Sequence, residues 1–222
     1  MTTTGNLPGT DAARHGRGDA DLTIMLAAHD AFRRDLTRLA RTTGAGNLSD
    51  PARRQSVAAG WDLFKRELHL HHTTEDELIW PTLRPRLADS EAALSVLAAM
   101  EAEHELIDPL LAAVDAEFAP AGGDRLADVI DALTSTLTRH LRHEERDGLP
   151  LIGVALTAAE WRGVGRKMGS KNGMAASSEM FAWILDGADR EHAAVTLGQL
   201  PPPLRLLYRA FWKPRFERTP RW

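Results

Sequence analysis

Cysteine is absent from all 222 residues, which removes disulfides, zinc–thiolate sites and iron–sulfur clusters at once. Any metal that this chain holds must be held by histidine and carboxylate. Long apolar runs are missing too. No stretch approaches the roughly 18 residues of a membrane-spanning helix, and the N-terminus has no apolar signal-peptide core, so a cytoplasmic protein is the expectation. A formal charge of −4 carries no general nucleic-acid signal, and no nucleic-acid partner is expected. Nothing in residues 1–150 reads as a strand. The remainder is ordinary for a globular chain, 43% apolar and 26% charged, with room for one good-sized core or a bundle with an appendage.

What the chain does contain is an internal repeat. His71-His-Thr-Thr-Glu75-Asp-Glu-Leu-Ile-Trp-Pro81 and His140-Leu-Arg-His-Glu144-Glu-Arg-Asp-Gly-Leu-Pro150 share one skeleton: a His, a Glu four residues on, a Pro ten residues on. A His and a Glu at i and i+4 lie one above the other on a single helix face. The Pro, which lacks an N–H and clashes with the preceding turn, predicts the end of each helix. Each copy follows another helical stretch with one His on its apolar face, His29 in LAAHDAF and His104 in EAEHELI. Two helical hairpins of one plan are the shape of a metal site built across a four-helix bundle.

The helices can be placed in order. Residues 1–20 are poor in apolar side chains and predict a disordered lead, with His15 solvated. A first helix is expected over 21–41, with Leu22, Met25, His29, Phe32, Leu36 and Leu39 on one stripe and Gly44 and Gly46 stopping it. Ser49-Asp50-Pro51 predicts a cap with Pro at the first helical position of the second helix. Its seam runs Val57, Trp61, Phe64, Leu68, His71, Glu75, Leu78. The third, from about Asp89–Ser90, reads Leu97, Met100, His104, Ile107, Leu111, Val114, Phe118. An Ala121-Gly-Gly turn and a cap at Asp124 precede the fourth, Leu126, Ile130, Leu133, Leu137, His140, Glu144. In every helix the ligand-type residue replaces a core residue without breaking the period.

Four histidines and two carboxylates on four helices suit a pair of iron ions. His29 and His71 would hold one ion, His104 and His140 the other, and Glu75 and Glu144 would bridge them. Coordination positions would stay free for solvent, an oxo or hydroxo bridge, O2 or peroxide. Two facing buried carboxylates without a cation would be strongly disfavoured as anions. His72, about 100° around the helix from His71, and His143, about 60° from His140, are flanking positions open to ligation or to an outer role. His72 is the stronger candidate, since it forms a second i, i+4 pair with Asp76. Glu145 is expected to be solvated, His69 to point off the seam, and His192 to lie on the surface. Manganese or a mixed centre suits the same ligands.

Beyond Pro150 the pattern changes. Thr157-Ala-Ala-Glu160 is a capping box that predicts a short helix, and Gly163, Gly165, Gly169 and Gly173 predict a loop after it. Helices are expected from Ser177 to Asp186, ended by Gly187, and again after Asp189. Pro201-Pro-Pro203 leads into a last helix with Leu204, Leu207, Tyr208, Phe211 and Trp212 on one face and Arg205, Arg209 and Lys213 on the other. Such a basic, aromatic tail either docks its apolar stripe on the bundle or binds an anionic partner; an apolar stripe at helical spacing is most often core.

At His29, His71/Glu75, His104 and His140/Glu144 the chain resembles the hemerythrin-like family, also called the HHE cation-binding domain, over roughly residues 20–150. It is similar to the branch with a His, His-x-x-x-Glu, His, His-x-x-x-Glu pattern. The resemblance implies an all-α, up-down four-helix bundle over residues 21–150 with a non-haem di-iron centre, followed by a helical extension over 151–222. It also implies a departure from the oxygen carriers, which have a further His where this chain has Met100, and His-x-x-x-x-Asp where it has His140-x-x-x-Glu144. One imidazole fewer leaves an iron more open and speaks against reversible O2 carriage. Binding or reduction of O2, peroxide or NO, with peroxide disproportionation as one form, is the leading expectation. An iron store or an oxygen- or iron-sensing protein without turnover is the alternative, and a bundle that merely carries the tail is a third.

Overall fold

A computed structural model describes residues 20–43, 48, 50–119 and 123–222. The N-terminal lead as far as residue 19, with His15, lies outside the described residues, as do Gly44, Gly46, Ser49 and the start of the Ala121–Gly123 turn. Among the described residues every regular element is helical, and no helix is long and apolar enough to cross a membrane. The bundle comprises α1 (Thr23–Thr43), α2 (Pro51–Thr74) with its continuation α3 (Trp80–Leu83), α4 (Glu91–Phe118), and α5 (Leu126–His143) with its continuation α6 (Leu149–Ala155). The extension comprises α7 (Ala158–Ile184), α8 (Arg190–Gly198), α9 (Pro202–Leu207) and α10 (Lys213–Glu217). α1 packs on α2 and α5, and α4 packs on α5.

The capping chemistry explains where the helices start. Asp50 accepts from the backbone N–H groups of Ala52 and Arg53 with Pro51 at the first position, and Ser90 accepts from Ala93 N–H. α5 departs from expectation: Asp124 does not cap it. The Glu117 carboxylate from α4 instead accepts from the N–H groups of Gly123 and Arg125 at 2.9 and 3.1 Å, which ties the start of α5 to the helix before it.

Neither Pro81 nor Pro150 ends its helix. Before each, one turn widens to a π-helical turn, Glu75–Ile79 and Glu144–Gly148, and the helix then runs on. The N–H of Trp80 reaches back five residues to the Glu75 carbonyl, and that of Leu149 to the Glu144 carbonyl. A wide turn makes room for the proline ring, which a regular turn would push into the carbonyl four residues earlier. A third case narrows the cause. In the tail, Tyr208–Trp212 is also π-helical, and Pro214 stands six residues after Tyr208, as Pro81 does after Glu75 and Pro150 after Glu144. No ligand-type residue is present there, so ligation is not what the wide turn requires; a proline follows all three turns, yet Pro109 lies within α4 without one, so a proline permits the widening and does not impose it. The extra residue shifts the register: Leu78, expected on the seam, is half-buried, while Ile79 and Trp80 are buried.

The core divides in two. One apolar cluster gathers Phe32, Leu36, Trp61, Phe64, Ile107 and Leu137 with their neighbours, the other Ile79, Trp80, Leu83, Leu97, Met100 and Ile152. Along each bundle helix the ligand-type residues fall between the two, His104 between Met100 and Ile107, His71 and Glu75 between Leu68 and Ile79. A polar layer is thus sealed above and below by hydrocarbon.

The extension covers the bundle more closely than its glycines suggest. Gly163, Gly165 and Gly169 lie inside α7 instead of in a loop, and only Gly173, at φ 76°, breaks the helical backbone. Each helical glycine costs about 1 kcal/mol against alanine, which the docking of α7 on α1 outweighs. Trp183, 2% exposed, packs on Phe32 with ring centroids 4.9 Å apart and donates its indole N–H to Asp35 at 2.7 Å. The tail docks, though on a face other than the expected one: Tyr208 and Phe216 are buried, while the π-helical turn leaves Phe211 65% exposed. Arg221 lies 3.9 Å above the Phe216 ring, and Arg53 donates to the Trp222 carbonyl at 2.7 Å.

Gly60 is the seat of that last contact. A Cβ added there would meet the Trp222 ring at 2.5–2.8 Å, so Gly60→Ala must displace the indole. The clash outweighs the 0.5–1 kcal/mol that alanine gains in a helix. The variant should melt a few degrees lower by calorimetry and lose the tail faster to protease, with its metal content unchanged.

Candidate metal centre

Around the polar layer the structure brings together all six side chains singled out by the sequence, and one more. His29, His71, Glu75 and Glu144 form one group and His72, His104 and His140 a second, with the ligand atoms of each group within 4.8 Å of one another. Glu75 and Glu144 are fully buried, and His29, His72, His104 and His140 are buried. His72 enters the second group although its helical angle placed it on a flank; it stacks on His104 with ring centroids 3.9 Å apart. It does not pair with Asp76. His69 and His192 are exposed, as the sequence suggests.

Each carboxylate faces both groups. Glu75 has one oxygen 3.1 Å from His71 Nε2 and the other 3.4 Å from His104 Nε2. Glu144 Oε2 is 3.2 Å from His29 Nε2 and 3.9 Å from His140 Nε2. His29 Nε2 and His71 Nε2 are 3.2 Å apart. Seven atoms aimed into this hollow have no hydrogen-bond partner: both oxygens of Glu75, both of Glu144, and Nε2 of His72, His104 and His140. Buried polar atoms are almost always satisfied, so such a concentration calls for a ligand. Oxygen and imidazole nitrogen together form the donor set of a borderline divalent cation.

Outside the hollow, three more carboxylates take the opposite edges of the imidazoles. Asp76 on the α2 side accepts from His104 Nδ1 at 3.0 Å, Glu103 on α4 from His140 Nδ1 at 2.9 Å, and Glu145 beyond α5 from His29 Nδ1 at 2.8 Å. Three of the four bundle helices thus orient the histidine of the next. Glu145, expected in solvent, is held between His29 and Arg33, which lies 2.8 Å from it. Glu103 also takes His143 Nδ1 at 2.8 Å, so His143 reaches the centre only through Glu103. A signal was present in the sequence. Asp76, Glu103 and Glu145 each sit directly beside a ligand-type residue, about 100° round the helix, where a side chain meets the neighbouring helix. His71 lacks such a clamp: its Nδ1 has no hydrogen-bond partner among the described residues, and the Phe32 ring of α1 lies 5.3 Å from its own.

These contacts fix the charge distribution. Burial opposes a proton on His29, yet the Glu144 and Glu145 carboxylates raise its pKa to about 9. Burial likewise opposes charge on His104, and Asp76 and Glu75 lift it to about 9. His71 and His72 have no such support, and burial with the neighbouring imidazoles holds them well below the usual histidine range. Of the two carboxyls, burial and the charge of Glu144 push Glu75 up; burial also opposes the Glu144 anion, but His29 and His71 hold it down. Of the two carboxyls in the metal-free hollow, Glu75 is therefore the one that takes up a proton more readily and Glu144 the better anion.

Outer partners of this kind set tautomer and aim, so their loss weakens metal binding without abolishing it. Asp76→Ala, Glu103→Ala and Glu145→Ala should each lower metal affinity roughly 10–100-fold in a chelator competition, whereas His69→Ala should leave it unchanged.

Residues 20–152 match a family described as the hemerythrin HHE cation binding domain. No curated protein and no solved structure matches the chain.

Proposed function

The chain belongs to the hemerythrin HHE cation-binding domain family, and from that premise we propose that it is a non-haem di-iron protein that binds or reduces O2, peroxide or NO. His29 and His71 would hold one iron, and His104 and His140, joined by His72, the other. Glu75 and Glu144 would bridge. The observation that carries this reading is the reach of each carboxylate to both histidine groups. An iron pair supplies two-electron exchange with an O2-derived oxidant. The protein's own part is positional. Asp76, Glu103 and Glu145 keep the Nδ1 protons outside, so that the Nε2 lone pairs of His104, His140 and His29 face inward. Met100, fully buried where an oxygen carrier has its further histidine, lies beside Gly148 as an apolar wall and adds no ligand of its own; the third imidazole of the second group comes from His72 instead.

Metal analysis of the purified protein should give about two iron ions per chain. One zinc, or no metal after growth in iron-rich medium, would overturn the reading. Turnover of added peroxide by the iron-loaded protein separates an enzyme from a store. A sensing role has one observation in its favour: Phe32 lies between the His71 ring, 5.3 Å away, and Trp183 of the extension, 4.9 Å away. Indole fluorescence that changes with iron oxidation state and not with turnover would favour the sensor.

A further inference from the structure

A cavity of about 390 Å3 lies between the bundle and the extension, floored by α1 and α2 and roofed by α7. Its walls are chiefly apolar and soft, with Met25, Phe32, Met168, Met180, Phe181 and Trp183 among them. Asp21 ties off one rim, its carbonyl accepting from the Trp161 indole at 2.8 Å and its carboxylate from Gln199 at 2.7 Å. The volume is in the range of small-molecule sites, about 300–1,000 Å3. Methionine-rich walls accommodate hydrocarbon of varied shape.

Two polar groups on the floor lack partners. Glu67 is 5% exposed and lines the cavity. Its carboxyl makes no hydrogen bond among the described residues, the nearest cation being Arg66 at 3.7 Å. Burial lifts its pKa to about 7, against the pull of Arg66. One helical turn on, His71 also lines the cavity, and it alone among the three best-placed histidines facing the two carboxylates has no outer acceptor. The ring of carboxylate clamps is open where the cavity begins.

We propose that this cavity is a binding site for an apolar alcohol or phenol, whose hydrocarbon fills the space under α7 and whose hydroxyl bridges Glu67 and His71. A hydroxyl both donates and accepts, and this floor needs both functions: the Glu67 carboxylate accepts, and His71 Nδ1–H donates. The tautomer of His71 rests on the metal reading above, in which Nε2 faces the ion; the cavity, its lining and Glu67 do not. A buried carboxyl that makes no hydrogen bond rejects a plain hydrocarbon, which would leave it unsatisfied, and rewards a donor.

The experiment titrates the full chain with 2-naphthol and with naphthalene, its hydrocarbon counterpart, by ligand fluorescence and calorimetry, both metal-free and iron-loaded. 2-Naphthol should bind once per chain and at least tenfold tighter than naphthalene. Glu67→Leu should remove that preference and keep naphthalene binding. Gly169→Phe should weaken both ligands tenfold or more, because a Cβ at Gly169 meets nothing within 4 Å and the residue lines the cavity. Circular dichroism confirms that each variant is folded. Equal affinity for the two ligands, absence of binding, or binding untouched by Gly169→Phe would overturn the site. In the iron-loaded protein 2-naphthol should also shift the visible spectrum through His71. A chain that takes up no iron when iron is offered, yet still prefers 2-naphthol, would defeat the metal reading and leave the cavity site standing; an iron-loaded chain that ignores both ligands would do the reverse.

Discussion

Glu75→Leu should raise the stability of the metal-free protein and strip iron from the loaded one. The two effects share one cause. Without metal, the buried oxygens of Glu75 make no well-formed hydrogen bond, with His71 and His104 nitrogens 3.1 and 3.4 Å away, and burial with the neighbouring Glu144 charge pushes the carboxyl toward its protonated form. An apolar side chain of similar volume removes that desolvation cost, worth on the order of 1–3 kcal/mol for an unsatisfied buried polar group. At 2–4 °C per kcal/mol, a rise of several degrees in melting temperature is expected. With metal, the same oxygens would reach both ions, and their loss should lower the iron content from about two per chain to one or none. Glu144→Leu separates the cases. It breaks a buried pair with His29, whose nitrogen is 3.2 Å away, so the metal-free protein should lose about 3–5 kcal/mol while iron is lost as well. Were Glu75→Leu to destabilise the metal-free chain as much as Glu144→Leu does, the proton would have been assigned to the wrong carboxyl. Retention of both irons in either variant would remove the bridging role.

The contrast between the two glutamates could not be read from the sequence, where they occupy equivalent places in a repeat. The fold could be. A period unbroken by His29, His71, His104 and His140 is what a bundle seam with inward ligands requires, and the structure aims those four imidazoles into one hollow. His72 shows where angular reasoning stops. An angle of about 100° takes a residue off a narrow two-helix seam, but four helices enclose an interior wide enough for adjacent faces of α2 to reach it. The prolines are visible in the sequence and predict helix ends, but a helix can absorb a proline by widening the turn before it, and a widened turn moves every later residue by one position. For that reason Ile79 replaces Leu78 in the core, and Phe211 faces solvent while Phe216 is buried. The helical glycines of α7 were illegible for another reason. Propensity is local, and the contacts that hold α7 in place, Trp183 on Phe32 and Asp35 among them, come from about 150 residues away.

A rise in pH from 6.5 to 9 should weaken the metal-free protein and leave the iron-loaded protein largely unaffected. His29 and His104 have folded-state pKa values of about 9, raised from 6.5, so their contribution is complete below pH 6.5 and disappears as pH climbs through 9. Glu75, raised in the fold, acts in the same direction, its contribution fading from the ordinary carboxylate range upward. Glu144 acts in the opposite sense: its pKa is depressed, so its contribution holds above the ordinary range and is lost in acid. Metal-free stability should therefore peak in mildly acidic solution. At 1.36 kcal/mol per pKa unit each histidine carries about 3 kcal/mol, and because both belong to one coupled cluster of buried charges the sum is smaller than additive. The expected loss is a few kcal/mol, or roughly 10 °C of melting temperature. A cation in the hollow takes the place of those protons. Loading with ferrous iron under anaerobic conditions at pH 7 should then release about three protons per chain, measured by calorimetry in buffers of differing ionisation enthalpy. The gap in stability between loaded and metal-free protein should widen as pH rises. A metal-free protein more stable at pH 9 than at 6.5 would mean that the imidazoles of His29 and His104 are neutral and that the carboxylates beside them, Glu144 and Glu145 at His29 and Asp76 at His104, do not hold a proton there.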